Sequence, residues 1–219
     1  MKNKLIFPVF VTIVFLAASC TKDMLRGNGD KKIDVRQLSA FTTVHFSGLR
    51  EAEIIHGTES KVELSGYANL VNNMEARVTG GNLYFSYPNH YNIKNDNVKL
   101  RIYTNKLDGI YQSGDTKIKI GEGFNPDVFK VYLSGNSHLE IAGGTANRFI
   151  IEGSGRSKVF AKPFQSDRVE IDLSGDSYAE VAPVDFMKVH ASGKVRIKYW
   201  GSPSGTDVQT SGDAKVERQ

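Results

Sequence analysis

The side chains best suited to nucleophilic, acid–base or metal chemistry here are five histidines (His45, His56, His90, His138, His190), one cysteine, Cys20, and serines and aspartates that recur beside glycine. A serine nucleophile needs a base in reach, and commonly a G-x-S-x-G elbow. No serine sits in that frame, and Gly153-Ser154-Gly155 reads as a turn. Asp115, Asp176 and Asp213 each follow a Ser-Gly pair, but Asn136, Arg156 and Lys194 fill the same place in the other copies. Glycoside hydrolysis needs two carboxyl groups about 5 to 9.5 Å apart. Neighbouring copies never supply two acids at this place, so these aspartates read as turn formers. Gly80-Gly81 and Gly143-Gly144 lack the G-G-x-G-x-D calcium repeat, and the histidines are not at metal spacing. No catalytic residue, metal ligand or cofactor is assigned.

Binding chemistry is better supplied. Lys117, His138, Lys158, Tyr178, Arg196 and Lys215 occupy one repeated position, a mainly basic column with an aromatic in it. Tyr111 and Tyr132 occupy another, two residues before the serine, where Glu152, Asp172, His190 and Gln209 follow. These columns read either as a solvated face, in which lysine blunts self-association, or as a groove for an acidic glycan or lipid headgroup with tyrosines as stacking surfaces.

The elements that position these columns are repeats. Ser-Gly pairs begin at Ser113, Ser134, Ser154, Ser174, Ser192 and Ser211, with spacings of 21, 20, 20, 18 and 19. Counting the serine as one, position four holds Thr116, Ser137, Ser157, Ser177, Val195 and Ala214, and position six holds Ile118, Leu139, Val159, Ala179, Ile197 and Val216. Three residues before the serine stand Ile110, Val131, Ile151, Ile171, Val189 and Val208. Small or apolar residues thus alternate with polar ones, as in half-buried strands. A period near 20 suits one turn of a parallel β-helix, in which like positions stack about 4.8 Å apart. A corner glycine allows positive φ or close backbone stacking. An antiparallel meander would reverse every 8 to 12 residues or so and would not need this recurrence.

The first half is looser. Ser47-Gly48 and Ser65-Gly66 lie 18 apart, followed by alternating strands and a polar loop, Pro88 to Asn97. Residues 41–112 read as degenerate opening turns or a small β-domain that caps the repeats of 113–219.

Ahead of them, Lys2 and Lys4 precede an apolar run from Leu5 to Ala18, then Ser19 and Cys20. The run is too short for a comfortable membrane span and reads as a signal peptide over residues 1–19. The A-A-S-C stretch resembles a bacterial lipobox, with Ala17 where leucine is usual, so Cys20 is expected to be lipidated. Residues 20–40 read as the lipidated N-terminus and a flexible tether. Beyond Cys20 there is no cysteine for a disulfide framework or thiolate metal site. The chain carries 28 Lys+Arg against 24 Asp+Glu. That balance argues against a nucleic-acid binder, which shows a strong basic excess.

FTTVHFSGLREAEIIHG, then VELSGYANLVNNMEARVTGGNLYFSY, then the repeated Ser-Gly segments resemble the putative auto-transporter adhesin family with a head GIN domain. The resemblance covers Phe41 to Gln219. It implies a right-handed β-solenoid and an adhesin-like role in exported, often lipid-anchored proteins of Bacteroidetes, and it supplies no catalytic residues. The expected fold is therefore all-β, a right-handed parallel β-helix with about 20-residue repeats. The expected function is a non-catalytic, adhesin-like surface binder in the cell envelope, held to the outer membrane by its lipid, on its periplasmic or surface face. Its partners would be a membrane and a glycan, lipid headgroup or surface protein; homo-oligomers are compatible with this. The alternatives are a polysaccharide-active enzyme of pectin-lyase-like fold and a purely structural envelope module.

Overall fold

The computed structural model describes residues 23–48 and 51–219. The expected signal peptide and Cys20 lie outside the described residues.

Along the chain run β1 (Asp23–Arg26), β2 (Lys31–Gln37), β3 (Thr43–Ser47), β4 (Glu51–His56) and β5 (Lys61–Tyr67), then a short helix α1 (Ala68–Asn73). β6 (Glu75–Thr79), β7 (Asn82–Ser86), β8 (Tyr91–Lys94), β9 (Lys99–Thr104) and β10 (Gly109–Ser113) follow. The repeats supply β11 (Asp115–Ile120), β12 (Val128–Leu133), β13 (Asn136–Ile141), β14 (Gly144–Gly153), β15 (Lys158–Gly175), β16 (Tyr178–Gly193), β17 (Arg196–Tyr199), β18 (Gly205–Gly212) and β19 (Lys215–Arg218). The protein is 68% strand and 3% helix, a β-solenoid of about six turns with about 20-residue spacing.

The alternation read from the sequence is the packing. Val44, Ile110, Val131, Ile151 and Val189 are wholly buried and stack from turn to turn, as do Leu139, Val159 and Ala179. Phe129, Phe149 and Phe164 fill the interior, with ring centroids 5.2 to 5.7 Å apart. Burying such side chains is worth roughly 1.5–3 kcal/mol each, which is what holds consecutive turns together. Position four is buried although it is polar. Its serines are satisfied locally: the hydroxyls of Ser137, Ser157 and Ser177 donate to the carbonyls of Ser134, Ser154 and Ser174 at 2.7 to 2.9 Å. Each hydrogen bond closes its corner.

The corners begin earlier than the clean repeats. Ser47 pairs with Ser113 in parallel register, and Gly48 has the same left-handed φ as Gly114. β3 and β4 therefore form a true opening turn. Ser65-Gly66 is no corner: it lies inside β5, which pairs antiparallel with β2 and β9. Between the opening turn and β10 the chain folds a cap over the solenoid end. β7 and β9 continue the parallel stack on β3 and β4, while β5, β2 and β6 add antiparallel strands outside them. Residues 41–112 thus form one turn and then this cap among the described residues. Leu70 and Val71 of α1, with Met74 just after it, plug its centre. The guanidinium of Arg36 donates to the carbonyls of Val71 and Met74, so a cation closes the helix C-terminus.

The tether assigned to residues 20–40 needs correction from Asp23 onward. β1 pairs with β8 and β2 with β5, while Leu25 and Leu38 pack against the core. The polar Gly27-Asn28-Gly29-Asp30 stretch is the turn between two strands, with the Asn69 amide donating to the Arg26 carbonyl.

Candidate functional site

The parallel register turns each outward position into a ladder with one side chain per turn. Lys117, His138, Lys158, Tyr178, Arg196 and Lys215 are consecutive partners across β11, β13, β15, β16, β17 and β19, as the spacing predicts. The ladder also runs through Glu51 to Lys99 in the cap end. Glu51 was legible, because it stands at position five counted from Ser47. Lys99 carries no such signal, since β9 follows no Ser-Gly corner.

A second ladder runs beside it: Arg101, Glu53, Lys119, Glu140, Phe160, Glu180, Lys198 and Glu217. The two together divide the face electrostatically. Near the cap the charges cancel. Lys99 pairs with Glu51, Arg101 with Glu53 at 3.3 Å, and Glu140 gathers Lys117, Lys119 and His138 at 2.8 to 3.6 Å. The His138 hydrogen bond and then the two lysines hold the Glu140 carboxyl below its ordinary range. Toward the C-terminal turns the cations are open. Among the described residues Lys158, Lys194, Arg196, Lys198 and Lys215 form no ion pair. Phe160 packs between His138 and Tyr178, with centroids 5.0 and 5.5 Å away. Lys158, Phe160, Tyr178, Lys194 and Arg196 line a groove of about 590 Å³, with Asp176 and Asp213 at its corner edge. The Tyr178 hydroxyl donates to Glu180, and burial followed by that bond pushes its pKa up to about 12. It therefore stays a neutral donor among cations.

Tyr111 and Tyr132 do not join this face. They lie before the Ser-Gly corner and the basic ladder lies after it, on a different sheet segment. Their ladder is Tyr84, His45, Tyr111, Tyr132, Glu152, Asp172, His190 and Gln209. The first four rings stack on one another with centroids 4.4 to 4.5 Å apart. Ring faces expected to be open for a ligand are therefore largely spent on each other, and the stack offers edges and hydroxyls to a groove of about 660 Å³. Burial, then the nearby Glu152, raises the Tyr132 pKa. His45 was legible two residues before Ser47; Tyr84, on the antiparallel β6–β7 hairpin, was not.

The histidines are spread through structural roles. His45 sits between two rings and hydrogen-bonds Asn82 at 3.1 Å, His56 meets Phe124 edge-on, and His138 binds Glu140. Among the described residues no three His, Cys, Asp or Glu side chains converge as metal ligands. The corner column from Asp115 through Asn136, Arg156, Asp176 and Lys194 exists, the backbone N–H groups of the last four bonding the glycine carbonyl one turn earlier. Its alternating charges make no ion pairs among the described residues; the Asn136 amide instead donates to Asp115 at 3.2 Å.

A model of the family described as putative auto-transporter adhesin, head GIN domain, matches residues 40–203. A solved putative adhesin from Bacteroides fragilis is 16% identical, with a TM-score of 0.69 over 89% of this chain and 100% of that one. One from Parabacteroides merdae is 15% identical, with a TM-score of 0.54 over 90% and 99%. A putative lipid binding protein from Parabacteroides distasonis is 16% identical, with a TM-score of 0.51 over 90% and 100%. At these identities the likeness is one of fold. No curated protein matches the chain.

Proposed function

The chain belongs to the family of putative auto-transporter adhesins with a head GIN domain, and on that premise we propose that it is an exported, non-catalytic surface binder. Cys20 carries its lipid anchor to the outer membrane, and the C-terminal half of the basic ladder holds an anionic polymer. The observation that carries this reading is the split of the ladder face: charges neutralised near the cap, and beyond it five cations without an ion pair among the described residues, three of which line the groove of Phe160 and Tyr178. Arg196 and Lys215 stand on adjacent rungs, where like charges lower stability slightly, so they are easier to understand as half of an interface. A repeating acid such as a uronic-acid polysaccharide meets such a row with many weak contacts at once, and multivalency converts these into firm attachment. The putative lipid binding protein among its structural neighbours favours anionic headgroups as a second source of the same chemistry.

Two measurements test this. Lys158→Ala with Arg196→Ala should weaken polygalacturonate binding by about tenfold or more at low salt, with less effect at high salt, while anionic vesicles score the headgroup source. Cys20→Ala should move the protein from the membrane to soluble fractions or leave it unprocessed, because stable anchoring takes more than one acyl chain. Unchanged detergent partitioning of a processed variant contradicts the anchor. Release of unsaturated or shortened products from polygalacturonate contradicts the non-catalytic reading.

A further inference from the structure

Strand β2 has one partner. Among the described residues it pairs only with β5, so its other edge is open. The hydrogen bonds that flank it fix which groups face that edge. Leu38 N–H donates to Ser60 and Ala68 N–H donates to Asp30 on the same register line as the β2–β5 pairs. Bonded pairs alternate along an antiparallel ladder. The even-numbered residues of β2 therefore bond β5, and Lys31, Ile33, Val35 and Gln37 turn their N–H and C=O groups to the open side.

Edge strands in soluble proteins are blunted by charges, proline or bulges. Here three of the strand's four charges sit on the other face and are occupied there, Arg36 holding the end of α1 and Asp34 and Lys32 donating to Asn72; only Lys31 shares the exposed face. The exposed face offers Ile33 and Val35, 71% and 54% exposed. Regular, free of proline and apolar at its centre, such an edge is a template for another strand.

We propose that β2 is the interface between two copies of this chain, joined antiparallel across a two-fold axis at Ile33. The charge pattern selects both the occupant and the register. Centred on Ile33, Lys32 opposes Asp34 of the second copy, and Asp30 opposes its Arg36. Centred one residue later, Asp34 would oppose Asp34 and Lys32 would oppose Arg36, which like-charge repulsion disfavours; centred on Val35, Asp34 would oppose Arg36, but Lys32 would face Leu38 and Asp30 would face Ala40, which leaves half as many opposite-charge pairs. A two-fold contact repeats every favourable pairing twice. It also continues the sheet that carries the ladders into the second copy, on the same face and cap to cap, with the two basic halves at its outer ends. The interface stands or falls independently of the ligand, since none of its residues belongs to the groove around Phe160.

The test uses the chain from residue 20 onward carrying Cys20→Ala, which retains every described residue and leaves no cysteine. Sedimentation equilibrium should show a dimer. Ile33→Lys should weaken it by about tenfold or more, through lysines facing each other across the axis, with an unchanged melting temperature at dilutions where both proteins are monomers. Ile33→Cys in the same background should form a disulfide-linked dimer, because directly opposed hydrogen-bonded residues lie about 5.5 Å apart, within disulfide range. Val184→Cys, also exposed, should not. A monomer at every concentration reached, including one that takes up a foreign strand at β2, overturns the proposal. So does a dimer indifferent to Ile33→Lys, or equal cross-linking at Val184→Cys.

Discussion

Glu170 shows how one residue ties turns together on a face that looked plain. It accepts from the Nε of Arg148, one turn earlier, at 2.8 Å and pairs also with Arg168 on its own strand. The hydrogen bond from Arg148 lowers its pKa most, and with Arg168 brings it from 4.5 to about 2. A carboxyl whose pKa is depressed by folding contributes stability above its unfolded value and loses it as pH falls through the folded one. Glu170→Gln should therefore cost about 1 kcal/mol at neutral pH, the scale of a good exposed ion-pair network. The cost should shrink between pH 4.5 and about 2 and vanish below that window. Urea titrations of both proteins across this range check it, and a cost that stays constant with pH contradicts it. From sequence, Glu170 is merely an outward residue. Its partner Arg148 is 22 positions away, and only the register makes them neighbours.

At the scale of the element, the corner is what the repeat conserves in space. Gly155 has a φ of +81, and a Cβ there would sit 2.7 Å from the Gly135 carbonyl oxygen of the preceding turn. Gly48, in the opening turn, has a φ of +71 but nothing within 4 Å of a Cβ. The two separate conformational cost from stacking cost. Gly48→Ala should lose about 1–2 kcal/mol for left-handed backbone, and Gly155→Ala about 1–3 kcal/mol more for overpacking. Thermal melts of the two variants decide, and equal losses would mean that turns do not stack through glycine. These corners, the buried columns and the basic ladder were legible because a 20-residue period puts like residues on like rungs. The cap was not. Its strands reverse direction, so Ser65-Gly66 mimics a corner inside an antiparallel strand, and the six residues of α1 are too few for a helical pattern to show. The tether was misread because a polar Gly-Asn-Gly-Asp turn looks the same between two strands as in a flexible leader.

At the scale of the whole molecule, the solenoid is a ruler. Rungs advance about 4.8 Å per turn, the sheet faces are continuous, and outward side chains stand in rows along them. The separation of the tyrosine ladder from the basic ladder follows from the Ser-Gly corner between them. Sequence periodicity groups positions but does not say which side of a bend each one faces. The C-terminal ladder from Lys158 to Lys215 covers three steps, or about 15 Å, and its cations act together only on a ligand long enough to reach them all. The measurement that bears most directly on this account is the affinity of a size series of oligogalacturonides for the wild-type chain and for Lys158→Ala with Arg196→Ala. Affinity should climb with chain length until the ligand spans the ladder and then level off, and the double variant should flatten the climb. Affinity independent of length, or a climb unchanged in the double variant, would contradict the ladder as the binding surface.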